Sequence, residues 1–450
     1  GKRFDKRECI MGNQIVEAIR QAGVVGAGGA GLPTHVKADA SVGTVLVNGA
    51  SCEPLLMSDP YLLECRTEEL LRGLRAMMDC TGAQRGVVCL KGKHAAALRQ
   101  VRQAVADRPD MDVFELGDFY PAGDEQVMVY EVLGAVVPER GLPLQVGAVV
   151  SNVESLCNVA RALEGKPVTH RYLTVGCAVA RPMVLRVPVG TCVDEVLRFA
   201  GGPTLTEYKV VDGGPMMGRV LPHTQQPVTK TTSGLLVLPP DHTVVARKIM
   251  DERTVRRLTN TVCCQCSLCT DLCPRNLLGH SLHPHKLMRV SAGTAATEVP
   301  VAKEALLCSE CGICEKFACP LGLSPREVNA QLKRELGKAR IAWQYDGRPL
   351  HPSRFREERR IPTSRLVQRL GLSDYAAHPP FVGDYVPTEV RIPLRQHIGA
   401  PAVPVVTVGR QVHVGDLLGE IPEGAMGARV HASISGTIRA VENGFITIRA

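Results

Sequence analysis

Eight of the chain's cysteines fall in two short runs. The first holds Cys263, Cys266, Cys269 and Cys273 before Pro274, a C-x2-C-x2-C-x3-C-P pattern. The second holds Cys308, Cys311, Cys314 and Cys319 before Pro320, with four residues instead of three ahead of the last cysteine. Three thiolates at this spacing wrap three corners of a cubane, and the fourth, beside proline, turns to the other cluster. The expectation is two [4Fe–4S] clusters. One sits on Cys263, Cys266, Cys269 and Cys319, the other on Cys308, Cys311, Cys314 and Cys273. The competing chemistry is a pair of structural zinc sites. These use C-x2-C pairs, and a third cysteine in the same run with a closing Cys-Pro is not their pattern. Cys264 is spare and reads as a bystander. The extra residue between Cys314 and Cys319 is expected to bulge beside one cluster. His280, His283 and His285 read as solvent-facing polar residues rather than ligands.

A second group of residues could hold an anion or a flat ring. In Gly26-Ala27-Gly28-Gly29-Ala30-Gly31 the missing side chains let backbone amides approach a phosphate or an isoalloxazine. Lys37 follows at a suitable distance. Further polar residues stand at the boundaries of predicted elements: Asn48 and Glu53; Gly123, Asp124 and Glu125; Ser151 and Asn152. Taken alone, the glycine loop equally fits a tight helix–loop turn.

These groups need several domains to position them, because 450 residues exceed one ordinary core. Aromatic residues make up only 4%, so the cores must rest on Val, Leu, Ile and Ala. Residues 1–165 alternate strands (Thr44–Val47, Gly86–Leu90, Met111–Leu116, Ala148–Val150) with helices (12–22, 60–80, 153–163), which predicts an α/β domain. Residues 166–240 read as a β-grasp domain around the helix Val193–Ala200. Residues 241–340 form a helical connector and the cysteine module, and 341–388 an irregular, Pro- and Arg-rich wrapping segment. Residues 389–450 read as a small β barrel-sandwich. The fold class is therefore multidomain α/β and α+β. The net charge of +8 is scattered. Its densest stretch, Arg354–Arg360, alternates with Glu357 and Glu358, so no nucleic-acid partner is expected. No apolar run reaches bilayer length and no signal-peptide pattern opens the chain, so membrane insertion is not expected. Seventeen cysteines without such a signal read as thiolates in a reducing cytosol.

Four stretches of the first domain, VVGAGGAGLPTHVK, VLVNGASCEP, YPAGDEQVMVYEVLGAVVP and VGAVVSNVESLCNVARAL, resemble the FMN domain of the complex I flavoprotein subunit. They resemble the Rnf complex C subunit more closely. The resemblance implies that FMN lies on the glycine loop, lined by Gly26, Gly28, Gly29, Gly31, Lys37, Asn48, Glu53, Gly123, Asp124, Glu125, Ser151 and Asn152. It also implies a soluble-ligand-binding (SLBB-like) β-grasp domain. At Ala50, Ser51 and Leu32 the chain departs from complex I positions that help hold NADH.

The C-terminal stretch HIGAPAVPVVTVGRQVHVGDLLGEI resembles a lipoyl-type domain, but no lysine follows Lys338 to carry a group. In the Rnf subunit a domain of this type is N-terminal. The order seen here, with CSLCTDLCPRNLLGHSLHPHKLMR and LCSECGICEKFACPLGLSPREVNAQLK, is similar to the propanediol-utilisation cobalamin reductase family. That likeness implies NADH as donor, FMN and two clusters as relays, and cobalamin as acceptor. Its implied partners are a corrinoid adenosyltransferase and a shell protein, in a bacterial microcompartment. The rival readings are an Rnf-type subunit serving ferredoxin and a non-enzymatic redox docking protein.

Overall fold

A computed structural model describes residues 6–291 and 299–450. The first layer is built from α1 (Lys6–Gln21), α2 (Thr34–Ala38), β1 (Thr44–Gly49), α3 (Ser58–Cys65), α4 (Thr67–Thr81), β2 (Arg85–Lys91), α5 (Ala95–Val105), β3 (Met111–Leu116), β4 (Phe119–Tyr120), α6 (Glu125–Leu133), β5 (Ala148–Asn152) and α7 (Val153–Leu163). Runs such as TVLVNG, GVVCLK and AVVSN are apolar on both faces, as parallel strands covered on both sides must be. They form an all-parallel sheet in the order β3-β2-β1-β5. One core gathers α1, α3–α5 and α7 through Ile19, Leu62, Leu74, Val101 and Leu156. On the other face, Met128 and Val129 of α6 pack on Leu46, Val87 and Val150. The expected single helix over 60–80 is two, parted at Arg66. α4 and α7 approach so closely that a Cβ on Gly73 would lie 1.9 Å from the Leu156 carbonyl oxygen.

The second sheet takes β6 (His170–Cys177), β7 (Met183–Pro188), β8 (Lys209–Asp212), β9 (Arg219–Val220) and β10 (Gly234–Leu238). Val193, Val196 and Leu197 of α8 (Val193–Phe199) pack into its core. Helices α9 (Thr243–Lys248) and α10 (Glu252–Val262) then lead into the cysteine module, which the helices Pro284–Ser291 and Pro325–Lys338 flank.

The segment expected to be an irregular wrap is irregular only over 341–360. Beyond it, β11 (Ile361–Pro362) pairs antiparallel with β4, and Thr363–Arg369 is helical. β12 (Phe381–Asp384) then adds to β7, completing the order β12-β7-β6-β10-β8-β9. The physical reason is apolar spacing that the Pro and Arg content hides. Leu366 and Leu370, four apart, are buried, and Phe381 stacks on Tyr61 at 4.3 Å.

The C-terminal residues fold as two facing sheets. One contains Glu389–Pro393, Phe445–Arg449, Gly436–Glu442 and Gln411–Val412; the other contains Val403–Pro404, Leu417–Glu420 and Val430–His431. Val189 of the β-grasp region enters their core beside Ile392 and Ile448. Among the described residues no helix is long and apolar enough to cross a membrane.

Candidate flavin crevice and paired cysteine sites

In the parallel sheet the winding reverses between β1 and β5. The carboxyl ends of two such strands diverge and leave a crevice, the usual ligand position in open α/β sheets. Asn48 and Asn152 are register partners at that edge. The glycine loop stands over it. Val25 bridges Pro33, and the Gly26 amide donates to the Leu32 carbonyl at 2.8 Å, so residues 27–30 project as a turn. Gly28, Gly29 and Ala30 are exposed. Gly29 sits at φ +109° with no atom within 4 Å of where a Cβ would be, and a Cβ on Gly28 would meet the Asn152 side chain at 3.8 Å. The tip therefore offers open backbone facing Asn152, a cradle that fits a ring or phosphate and that larger side chains would fill.

Buried groups fix the loop from behind. The Ala27 amide donates to Ser155 Oγ at 2.8 Å. Arg171 donates to the Ala27 carbonyl at 2.6 Å, to the Thr232 carbonyl at 2.7 Å and to the Glu154 carboxylate. Glu154 also accepts from the Tyr172 amide at 3.0 Å. Burial pushes the Glu154 carboxyl above its usual range, with Arg171 opposing. The C-terminal sheets wall the loop on its outer side. Gly31 accepts from the Ile398 amide at 3.0 Å, and Lys230 Nζ bridges the Gly23 and Arg429 carbonyls, both at 2.7 Å.

Lys37 Nζ donates to Glu125 at 2.6 Å and to the Val150 carbonyl at 2.8 Å. Asn48 donates to the Gly123 carbonyl at 2.7 Å. A Cβ on Gly123 would lie 3.0 Å from both Asn48 Oδ1 and Cys52 Sγ. Ser151 is buried in β5, and Asn152 caps α7 while donating to Asp59 at 3.0 Å. The structure thus gathers Gly26, Gly28, Gly29, Gly31, Lys37, Asn48, Gly123, Glu125, Ser151 and Asn152 at one edge.

Two other expected residues face neighbouring regions. Glu53 accepts from the amides of Met216 and Met217 at 2.9 and 2.7 Å. Burial raises its pKa, with the Met216 amide and then Lys248 opposing. Asp124 caps α6 and is gripped by Arg275 at 2.6 and 2.9 Å. Sequence reading did not single out Ser155, Glu154, Arg171 or Arg275. The one available signal was Arg171 itself, a charge at the head of an apolar strand, which burial obliges to find partners.

The cysteine runs share a backbone device. Gln265 and Ser267 flank Cys266 at φ +56° and +62°; Glu310 and Gly312 flank Cys311 at +57° and +82°. Left-handed residues at matching positions curl both runs into cups, and the Glu310 amide donates to Cys308 Sγ at 3.3 Å. Cys273 and Cys308 share one apolar cluster, and Cys263 and Cys319 share another. Cys273, Cys308, Cys311 and Cys314 line one cavity with Arg275, Arg326 and Asn329. Burial first, and then the neighbouring Cys263, Cys266 and Cys319, push the Cys269 thiol up to about 12. Burial, with Cys308, Cys311 and Cys273 next, raises Cys314. Among the described residues no three His, Cys, Asp or Glu side chains converge tightly enough to hold one ion. Thiolates spread around a cavity instead suit the four iron corners of a cubane.

The runs then differ. The first closes through α-type and 3-10 turns, with the Cys273 amide donating to the Thr270 carbonyl at 2.9 Å. In the second, Cys314–Ala318 form a π-turn, and the Cys319 amide reaches back five residues to Cys314 at 3.1 Å. The extra residue is absorbed there as a bulge inside a turn. It carries Glu315, which is fully buried and paired with Lys316 at 2.7 Å and Arg326 at 3.0 Å. The histidines separate. His280 is buried against the Val137 carbonyl at 3.0 Å, which corrects its reading as solvent-facing; His283 meets Glu304 at 3.0 Å and His285 meets Thr270 at 2.7 Å. Its neighbours in sequence, Leu277, Leu278 and Leu282, are buried as well, so the segment carries His280 inward.

Comparison with known proteins finds four family models along the chain. The Nuo51 FMN-binding domain matches residues 19–161, the SLBB domain 172–220, the 4Fe-4S dicluster domain 262–324 and the RnfC barrel sandwich hybrid domain 376–449. The chain has an FMN-binding domain and an iron–sulfur domain. It resembles the NAD+-reducing [NiFe]-hydrogenase in fold, with a TM-score of 0.50 at 21% identity, over 75% of this chain and 64% of that one. The C subunit of the Na(+)-translocating ferredoxin:NAD(+) oxidoreductase complex of Acetobacterium woodii is 32% identical over 61% of each chain. Two cobalamin reductases PduS match nearly end to end. That of Citrobacter freundii is 46% identical over 96% of both chains, and that of Salmonella typhimurium 45% over 98% of this chain and 97% of its own. At that identity and coverage the chain belongs to the PduS cobalamin reductase family.

Proposed function

We propose that the chain is a cobalamin reductase that carries electrons from NADH, by way of FMN and two [4Fe–4S] clusters, to cob(III)alamin. The supporting observation is a single ion pair. Asp124 caps the helix at the flavin crevice and also grips Arg275, which lines the cavity of Cys273, Cys308, Cys311 and Cys314. One buried contact therefore separates the two cofactor regions. When bound, FMN accepts electrons in pairs and the clusters pass them singly.

The chain's own residues prepare this. The amides of Gly28, Gly29 and Ala30 hold the ring or its phosphate, and Ser155 and Arg171 keep their loop rigid. Asn48, Lys37 and Asn152 order the crevice floor. Beside the buried thiolates, the Asn329 amide group donates to Cys308 Sγ at 3.4 Å, a hydrogen bond that would favour the reduced state of a bound cluster. Cluster ligands are Cys263, Cys266, Cys269 and Cys319 on one side and Cys308, Cys311, Cys314 and Cys273 on the other. The working partition is 1–165, 166–240, 241–340, 341–388 and 389–450. The family resemblance extends the reading to a corrinoid adenosyltransferase as recipient, a shell protein as neighbour and a microcompartment as location.

The test is anaerobic reduction of hydroxocobalamin by NADH with the purified chain, alongside flavin, iron and sulfide assays. Cofactor-replete protein that leaves cob(III)alamin unreduced would sink the proposal. The Rnf-type rival matches only 61% of the chain, against 96% or more for the cobalamin reductases.

A further inference from the structure

The two thiolate sets meet solvent differently. Cys273, Cys311 and Cys314 are buried and Cys308 is half-buried. In the other set Cys269 is buried and Cys263 and Cys319 are half-buried, but Cys266 is exposed, with Cys264 and Gln265 beside it on the loop. Three apolar side chains stand in water around it: Val262 ahead of Cys263, Leu268 between Cys266 and Cys269, and Leu321 just past Cys319, at 40, 40 and 44% exposure. A single exposed apolar residue is ordinary, but three around one thiolate set form a patch of the kind partners cover.

The charge beside this patch comes from α10. Arg253, Arg256 and Arg257, with Asn260 a turn further on, occupy one exposed face of the helix that ends at Val262. Val255 and Thr259 bury the opposite face. None of the three arginines has an acidic partner among the described residues. The arginines lining the cavity of the buried set are neutralised: Arg326 by Glu315 and Arg275 by Asp124. An arginine stripe without counter-charges creates a local positive field that steers acidic surfaces.

We propose that this face — Val262, Leu268, Leu321 and the α10 arginines around the set of Cys263, Cys266, Cys269 and Cys319 — docks an acidic protein electron acceptor. The exposed set is then the outlet, and the buried set the relay on the flavin side. The inference rests on the two-cluster reading above. Each encounter moves one electron from the outlet set to the acceptor, with no bond made and no proton transferred.

The test titrates anaerobic holoprotein with an acidic [2Fe–2S] ferredoxin as probe and a basic cytochrome c as counter-probe, by interferometry at low salt. The expected result is ferredoxin binding that salt weakens, and at least a tenfold rise in Kd in R253E/R256E/R257E with flavin and iron content unchanged. Unaltered affinity in that variant, or tighter binding of cytochrome c by the parent, overturns the proposal. A second arm follows an iron chelator by EPR. The Cys263 set should lose iron first, and prior loss from the Cys308 set also overturns it. About eight iron atoms per chain with failed docking removes the docking proposal alone. Fully reconstituted protein holding about half that iron removes the two-cluster reading and the docking proposal together.

Discussion

The two cysteine runs begin alike and end differently. Both curl around their second cysteine through paired left-handed residues, Gln265 and Ser267 in one, Glu310 and Gly312 in the other. From there the first closes with an ordinary turn and stays near water. The second takes a π-turn and carries a buried Glu315 and Lys316 beside its thiolates, with Arg326 of the following helix paired to Glu315. The first four thiolate positions of a motif set which metal cluster forms. The residues between them decide how dry it is and which charges surround it, and those terms tune its potential.

The largest effect expected from breaking this comparison is loss of a cluster at the far run. Cys273→Ala should remove the EPR signal of the buried set, and Cys319→Ala that of the exposed one, each halving the iron content. Loss of only the set nearest in sequence would show that the fourth cysteines do not cross. Next comes the charge at the π-turn. Glu315→Ala leaves Lys316 buried without its carboxylate, while Arg326 keeps Glu327, and should cost about 3–5 kcal/mol in urea unfolding. Thr270→Ala in the first run, where no such pair exists, should cost far less. Equal losses would erase the distinction.

A smaller effect separates the runs by pH. Burial pulls His280, which follows the first run, down to about 4. In the unfolded chain its pKa is near 6.5, so as pH falls from about 6.5 towards 4 the unfolded state gains a proton that the folded state refuses. Stability therefore drops over that window. His280 should contribute about 1 kcal/mol of the loss between about pH 7.5 and pH 5.5, beside His94, His170 and His431, which burial lowers in the same direction. His280→Asn should remove that share, and an unchanged slope would show that His280 is not among the sensitive groups. The smallest effects lie at the left-handed positions. Gly312→Ala should cost about 1 kcal/mol, while Ser267→Gly should be neutral or gain several tenths. Chemical unfolding of the holoprotein reads both, and the same sign at both positions would argue against matching strain.

What could be read from the sequence was local. The cysteine spacings, the glycine loop and the strands of the parallel sheet each declare themselves within a dozen residues. The motif leads to the expectation that Cys273 and Cys319 cross, and each shares an apolar cluster with a cysteine of the opposite run. What stayed hidden depends on residues far apart in the chain. Nothing near Ala27 announces that Arg171 will hold its carbonyl, and nothing near Asp124 points to Arg275. Glu53 and Asp124 were grouped with the crevice because they adjoin predicted strands. Their carboxylates instead reach the Met216–Met217 turn and the cysteine module. The segment 361–388 read as irregular because Pro and Arg mask its few apolar anchors, which become strand and helix only against β4 and β7.

The contact between Gly23–Gly31 and residues 398–429 has a consequence for biosynthesis. The glycine loop is made well before Ile398 and Arg429, the distant residues that wall it. Domains fold as they emerge, the N-terminal ones first. The parallel sheet can therefore form while its cradle still lacks a side. Cofactor capture in its final geometry is accordingly a late event, completed only once residues 398–429 have been released.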